Sequence, residues 1–212
     1  MHEISMNEPF GKSIARVIKE RWYSHNLEIG SDDGTGSTQC FIEGMKELHH
    51  KGLICLENAS DDVTLLRNSV KQYEWVTPIL TQSIGLGYLI PKTFEDVWNS
   101  PHNMHTRTDS PYSHDVVQKW WNDDLATLKK NPIGFLDDDT QHYDAVLIDG
   151  SEFTGYSEFC LLRNRSRCFF LDDVHKAYKC CQVYHELKKD AAWLLVEENP
   201  EVRNGYAIFC NV

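Results

Sequence analysis

Short apolar runs alternate with helical stretches along this 212-residue chain, and several of the runs end in an acid. The first third reads as helix (8–23), strand (Asn26 to Ile29), helix (37–49), strand (Leu53 to Glu57), helix (60–73) and strand (Val76 to Leu80). In the first helix Ile14, Val17, Ile18 and Trp22 share one face, the spacing of an amphipathic helix. Asp61 and Asp62 open the third helix, where carboxylates favour the positive end of the helix dipole. Strands that alternate with helices must lie parallel, because each crossover helix returns the chain to the same edge. This constraint excludes all-helical and all-β folds.

The alternation breaks between about 88 and 142, a stretch punctuated by Pro91, Pro101, Pro111 and Pro132. It carries Trp98, Trp120 and Trp121 and four histidines, His102, His105, His114 and His142. A stretch this long without strands is expected to be functional. It reads as an insertion, helical over about 114–130, lying over the top of the sheet. Alternation then resumes with a strand from Tyr143 to Asp149, a short helix from Tyr156, a strand from Arg167 to Asp173 and a helix from Ala177 to Lys189. Two last strands, Trp193 to Glu197 and Tyr206 to Cys210, flank Asn204-Gly205, a hairpin signal that reverses the final strand. The expected fold class is therefore α/β: about seven strands, the last one antiparallel, in a single domain over 1–212.

Composition narrows the partners. Hydrophobic residues make up 41% and charged residues 25%, which is ordinary for a globular chain. No apolar run approaches the roughly 20 residues that span a bilayer, and Met1 to Phe10 lacks the apolar core of a secretory signal. The 21 basic and 32 acidic residues give a formal net charge of −11, which disfavours a phosphate-backbone partner such as nucleic acid. Seven cysteines at irregular spacing, with no C-x-x-C pair, read as reduced, buried residues of a cytoplasmic protein. The vicinal Cys180-Cys181 is the one candidate for redox chemistry among them. His102 and His105 lack the i, i+4 spacing of a helical zinc pair, so zinc is not expected there.

In parallel sheets ligands bind beyond the carboxyl ends of the strands. The first end carries Glu28-x-Gly30-x-x-x-Gly34-x-Gly36, a turn that lets backbone approach a ligand closely. Glu57 ends the next strand, where a carboxylate can accept hydrogen bonds from a ribose diol. Together they describe a site for an adenosine-bearing cofactor. The G-x-x-x-G-x-G spacing also occurs in NAD(P)-dependent short-chain oxidoreductases, whose Tyr-x-x-x-Lys pair has a counterpart in Tyr184 and Lys188. That pair follows the fifth strand instead of the fourth, and Asp32 and Asp33 would repel a pyrophosphate.

Leu27-Glu28-Ile29-Gly30-Ser31-Asp32-Asp33-Gly34-Thr35-Gly36 resembles the first motif of class I S-adenosylmethionine-dependent methyltransferases, Glu57 resembles their second, and the reversed last strand resembles their closing hairpin. The resemblance covers the chain outside 88–142. It implies a Rossmann-like sheet with helices on both faces. It also implies that Gly30, Gly34 and Gly36 lie against the methionine moiety, with Glu28, Ser31 and Ser37 in the same turn. Glu57 would bind the ribose, and Asn58, Gln82 and Ser83 would lie near the adenine.

Asp149 and the pair Asp172-Asp173 end two later strands. Three carboxylates at adjacent strand ends require something positive among them, and an oxygen-only donor set points to Mg²⁺ first, with Mn²⁺ or Ca²⁺ as substitutes. Ile148-Asp149-Gly150 and Leu171-Asp172-Asp173 resemble the metal motifs of the catechol-type and sugar-type O-methyltransferases, at a somewhat shorter interval. Glu152 stands where the catechol type places its lysine base. His175, two residues past the acidic pair, is a second base candidate or a polar residue at a helix start. The loop Asp149 to Tyr156 is similar to one in small glycan-decorating methyltransferases, viral ones included. The resulting expectation is an O-methyltransferase acting on a sugar or glycan hydroxyl, with Asp149, Glu152 and His175 as candidate catalytic groups. The alternatives are the oxidoreductase and a cofactor-binding protein without catalysis. The 88–142 stretch either closes over the substrate or forms a homodimer contact.

Overall fold

The structure is a computed structural model and describes residues 4–107 and 110–212. Residues 1–3 of the N-terminal segment and residues 108–109 of the 88–142 stretch lie outside the described residues. The three expected helix–strand pairs of the first third are present: α1 (Pro9–Arg21), β1 (His25–Ile29), α2 (Ser37–Met45), β2 (Gly52–Glu57), α3 (Ser60–Val70) and β3 (Val76–Leu80). Pro9 opens α1, where its missing N–H costs nothing, and Trp22 in the left-handed region closes it.

The stretch after β3 holds α4 (Phe94–Trp98), α5 (His114–Lys130), α6 (Phe135–Asp138) and two single-turn 3₁₀ segments, Leu86–Tyr88 and Met104–Thr106. Thr93 and Asp96 form a capping box that starts α4, each bonding the other's backbone N–H. β4 (Ala145–Ile148), α7 (Gly155–Leu162), β5 (Cys168–Asp172), α8 (Cys181–Leu187), β6 (Trp193–Asn199) and β7 (Tyr206–Asn211) follow. The acidic run Asp137 to Asp139, which reads as a solvated loop, is structural. Asp137 accepts from the backbone N–H groups of Gly85 and Gly134, and Asp139 pairs with Arg165 at 2.8 Å.

The seven strands form one sheet in the order β3-β2-β1-β4-β5-β7-β6. β3, β2, β1, β4 and β5 pair in parallel, and β7 runs antiparallel to both β5 and β6. The strand order reverses between β1 and β4, where crossovers leave in opposite directions and open a crevice at the carboxyl edge.

Alternate side chains of each central strand enter opposite cores. Leu27 and Ile29 of β1, Val146 and Ile148 of β4, and Phe169 and Leu171 of β5 face the layer of α4, α5, α7 and α8. Ala145, Leu147, Cys168 and Phe170 face the layer of α1, α2 and α3. Burial on both faces explains why these strands read as continuous apolar runs. Phe170 is fully buried and meets Phe41 of α2 edge to face, with ring centroids 5.9 Å apart. Phe170→Ala should therefore lower unfolding stability by about 3–5 kcal/mol in urea titration, through lost burial and an unfilled cavity. Leu65→Ala, on the outer face of α3 and 52% exposed, should change it by less than about 0.5 kcal/mol.

Candidate functional site

A cavity of about 440 Å³ opens at the carboxyl ends of β1, β2, β3 and β4. Gly30, Ser31, Gly36 and Ser37 of the glycine-rich turn, Glu57 and Asn58 after β2, Ser83 after β3 and Asp149 after β4 line it. α5 covers one side with Asp124, Thr127 and Leu128.

The turn is shaped by two glycines held in left-handed conformations. Gly30 has φ +84°, and a Cβ there would lie 2.3 Å from the carbonyl oxygen of Asp149, so β1 and β4 meet only through glycine. Gly34 has φ +76° and packs against Leu66 of α3, outside the cavity lining. Glu28 also lies outside it. Its carboxylate is fully buried beneath the turn and accepts from Ser37 Oγ at 2.6 Å and Thr38 Oγ1 at 2.7 Å. Burial pushes its pKa up, and the two hydroxyls partly oppose the rise. Glu28 thus fastens the start of α2 to β1, and its place is structural rather than ligand-facing.

Glu57 is held by three backbone donors: Asn58 at 2.8 Å and Ala59 at 2.9 Å on one oxygen, and Asp32 at 3.0 Å on the other. Asp32 reaches it from a left-handed backbone with φ 49°. The carboxylate is therefore oriented before any ligand arrives. On the opposite wall, Gln82 donates its amide to the carbonyl of Asn131, while its Oε1 is buried without a partner among the described residues. An orphaned acceptor in a cavity wall suits a ligand donor such as an exocyclic amine.

The three strand-end carboxylates do come together, but around a lysine. Lys179 Nζ lies 2.9 Å from Asp149, 3.1 Å from Asp173 and 3.9 Å from Asp172. Arg203, from the β6–β7 turn, pairs with both oxygens of Asp172 and lies 3.8 Å from Asp173. Burial alone would lower the Lys179 pKa, yet the three carboxylates drive it well above the ordinary value, so the ammonium stays charged. Burial beside two other acids pushes Asp172 well up, against Lys179 and Arg203. The expected Mg²⁺ set of Asp149, Asp172 and Asp173 does not fit a divalent cation. Each acid is already paired with a side-chain cation, and the Lys179 ammonium stands at the point where the three converge. Of the three acids, Asp149 alone lines the cavity.

The sequence hid Lys179 as one residue of a helix expected from Ala177. The chain instead bends through 174–180 and α8 starts at Cys181. The usable signal was electrostatic: three buried acids need a cation, and Lys179 lies six residues beyond Asp173.

The two other base candidates lie outside the cavity. Glu152 accepts from the backbone N–H of Tyr178 at 2.6 Å and from Nε2–H of His105 at 2.8 Å. His175 packs on Gly205 and meets Tyr184 edge to face at 4.8 Å, behind the last hairpin. Burial lowers its pKa. The Tyr184–Lys188 pair also lies elsewhere. Tyr184 donates its hydroxyl to Glu198 at 2.6 Å, and Lys188 bonds the same hydroxyl and carboxylate. Cys180 and Cys181 are buried, and burial lifts both thiols, Cys181 to about 11, which opposes redox reactivity.

No protein-family model matches the chain, and neither does any curated protein. Solved structures do. An O-methyltransferase from Bacillus cereus in complex with S-adenosylhomocysteine is similar at TM-score 0.57 and 12% identity, over 97% of this chain and 82% of that one. The O-methyltransferase TomG from Streptomyces achromogenes, involved in tomaymycin synthesis and bound to S-adenosylmethionine, is similar at 0.57 and 13%, over 96% and 80%. The S-adenosylhomocysteine-bound methyltransferase PaMTH1 from Podospora anserina is similar at 0.54 and 14%, over 95% and 77%. At these identities the likeness is one of fold: the chain has the Rossmann-like methyltransferase fold, with a seven-stranded sheet and a reversed last strand.

Two outcomes follow from the buried charges. Lys179→Ala leaves three carboxylates without their central cation, and should cost about 3–5 kcal/mol in urea unfolding at neutral pH. The deficit should shrink as pH falls and the carboxylates take up protons. For Glu28, folding raises the pKa, so its stabilising contribution is complete below about 4.5 and is lost as pH rises through the raised folded value. Glu28→Gln carries no such loss. Its stability relative to wild type should rise as pH is raised from about 4.5 towards neutrality, measured by denaturant titration across pH.

Proposed function

We propose that the chain is an S-adenosylmethionine-dependent O-methyltransferase that methylates a hydroxyl of an uncharged, polyhydroxylated acceptor, a sugar or glycan, without a divalent cation. The observation that carries this reading is the single cavity wall that joins Gly36, a pre-oriented Glu57, Ser83 and Asp149 at the switch point of a methyltransferase fold.

The residues fit the cofactor. Glu57 has one lone-pair site left beyond its three backbone donors, and it faces the cavity from the end of β2, suited to a ribose hydroxyl. Gln82 Oε1 is an unsatisfied acceptor on the wall suited to the adenine. When bound, S-adenosylmethionine supplies an electrophilic methyl group on a sulfonium. The acidic lining of Asp32, Glu57, Asp124 and Asp149 attracts a cationic ligand and opposes a pyrophosphate or a phosphate-bearing acceptor.

Asp149 is the group placed to handle the acceptor. Its Oδ1 takes the Lys179 ammonium at 2.9 Å, and its Oδ2 has no donor among the described residues. Asp149 Oδ2 accepts the acceptor hydroxyl's hydrogen bond and receives its proton as the oxygen attacks. Lys179 positions that carboxylate and supplies the fixed positive charge that a metal would otherwise provide. Asp124, Thr127 and Ser151 line the outer part of the cavity with hydrogen-bonding groups for a polyol. α5, within the 88–142 stretch, closes the cavity over them, and the chain acts as one domain.

Thermal unfolding with S-adenosylhomocysteine tests the reading. At 100 times its dissociation constant the ligand adds about 2.7 kcal/mol, a shift of about 5–10 °C for a chain this size. Mg²⁺ should add nothing, and NADPH alone should leave the midpoint unmoved. With labelled S-adenosylmethionine and a panel of glycans, Asp149→Asn should lower kcat by about 100-fold or more while cofactor binding survives. A midpoint that moves with NADPH and not with S-adenosylhomocysteine would overturn the proposal.

A further inference from the structure

Outside the cavity, one cluster of side chains is built for a different ligand. Cys181 and His185 stand at i and i+4 on α8, so their side chains share one helical face. His102 reaches that face from the loop between α4 and the 3₁₀ turn at Met104–Thr106. One donor atom from each of the three lies within 4.8 Å of the other two, and the two imidazole rings are 5.6 Å apart. Neither imidazole nor the Cys181 thiol makes a hydrogen bond among the described residues, although Cys181 is buried and His102 half-buried. Three donors of metal-ligating type are thus brought together from two segments of the chain.

We propose that His102, Cys181 and His185 bind one Zn²⁺ and thereby clamp the loop carrying His102 onto α8. Two imidazole nitrogens and one thiolate sulfur are a borderline-soft set, suited to zinc and unsuited to Mg²⁺ or Ca²⁺. Tetrahedral zinc places such donors roughly 3.4–3.6 Å apart, from Zn–N near 2.0–2.1 Å and Zn–S near 2.3 Å. His185 is exposed, so its side chain can close the remaining ångström or so without disturbing the core. As the sulfur–zinc bond forms, the Cys181 thiol proton leaves to solvent, and a water fills the fourth position.

The clamp has a consequence for the cavity side. His105, three residues beyond His102, is buried under Tyr112 and Trp120 and bonds Glu152 on the loop after β4. Fixing His102 to α8 therefore fixes the segment that braces the loop running from Asp149 through Glu152. This zinc site is separate from the Asp149 carboxylate set and does not depend on the methyltransferase reading.

The test uses the full chain, stripped with a chelator and titrated with Zn²⁺ by calorimetry. The expected result is one ion per chain, with binding weakened more than about 100-fold in each of His102→Ala, Cys181→Ser and His185→Ala, beyond the loss seen on removing an outer partner. Co²⁺ in place of zinc should give a thiolate-to-metal charge-transfer band that Cys181→Ser abolishes. Amide exchange over 99–107 should slow when zinc is added. His185→Ala changes an exposed side chain and keeps the fold, so undiminished zinc binding in that variant overturns the proposal. So does the absence of stoichiometric binding to the wild-type chain, or a cobalt spectrum without the thiolate band.

Discussion

Lys179 is the charge around which the carboxyl edge of the sheet is organised. β4 and β5 each deliver acids to that edge, and an acid cluster there would repel itself and pay desolvation without return. The bend at 174–180 carries one ammonium into the middle of Asp149, Asp172 and Asp173. Arg203, from the far side of the last hairpin, pairs with Asp172. The fourth, fifth and seventh strands are thereby tied together by charge at the end where the cavity opens. Asp149 is the member of the set that reaches both the lysine and the cavity, so the cluster's geometry sets where a carboxylate meets an acceptor.

A second division of labour runs through the glycine-rich turn. Glu28 and Glu57 both stand at the carboxyl ends of strands, and in a linear reading both look ligand-facing. Depth along the strands separates them. Glu28 points with Asn26 into the α1–α3 side of the sheet, where Ser37 and Thr38 satisfy it. Glu57 ends β2 at the crevice and is aimed by backbone amides. One carboxylate sets the entry to α2 and the other is displayed to a ligand, because Glu57 stands two residues beyond Cys55, the register partner of Glu28, at the open end of the ladder.

The stretch between β3 and β4 adds the roof and most of the aromatic surface. Trp121 and Val117 of α5 enter the core beside Phe153, while Asp124, Thr127 and Leu128 turn towards the cavity. Three of its four histidines take different positions: His105 against Glu152, His114 against Phe94 and Trp98, and His102 against α8. The rings that look alike in composition are thus spent on a buried hydrogen bond, on packing and on a site shared with another helix.

The sequence by itself determined the sheet and the ends of its strands. Apolar runs separated by amphipathic helices admit only parallel pairing, Asn204-Gly205 forces the last strand to turn back, and Gly30 and Gly34 mark the tight passage between β1 and α2. It also determined which side chains stand at the carboxyl edge, because strand ends are set by local pattern. Only the tertiary structure decided what those side chains meet. Asp149, Asp172 and Asp173 look like a metal site until the fold brings Lys179 to Asp149, 30 residues before it, and Arg203 to Asp172, 31 residues before it. Cys181 and His185 are an ordinary helical pair until His102 arrives from a loop 79 residues earlier in the chain. Local pattern is governed by backbone periodicity and burial, which neighbouring residues report. Charge compensation and ligand geometry depend on distances between segments that only the folded chain brings together.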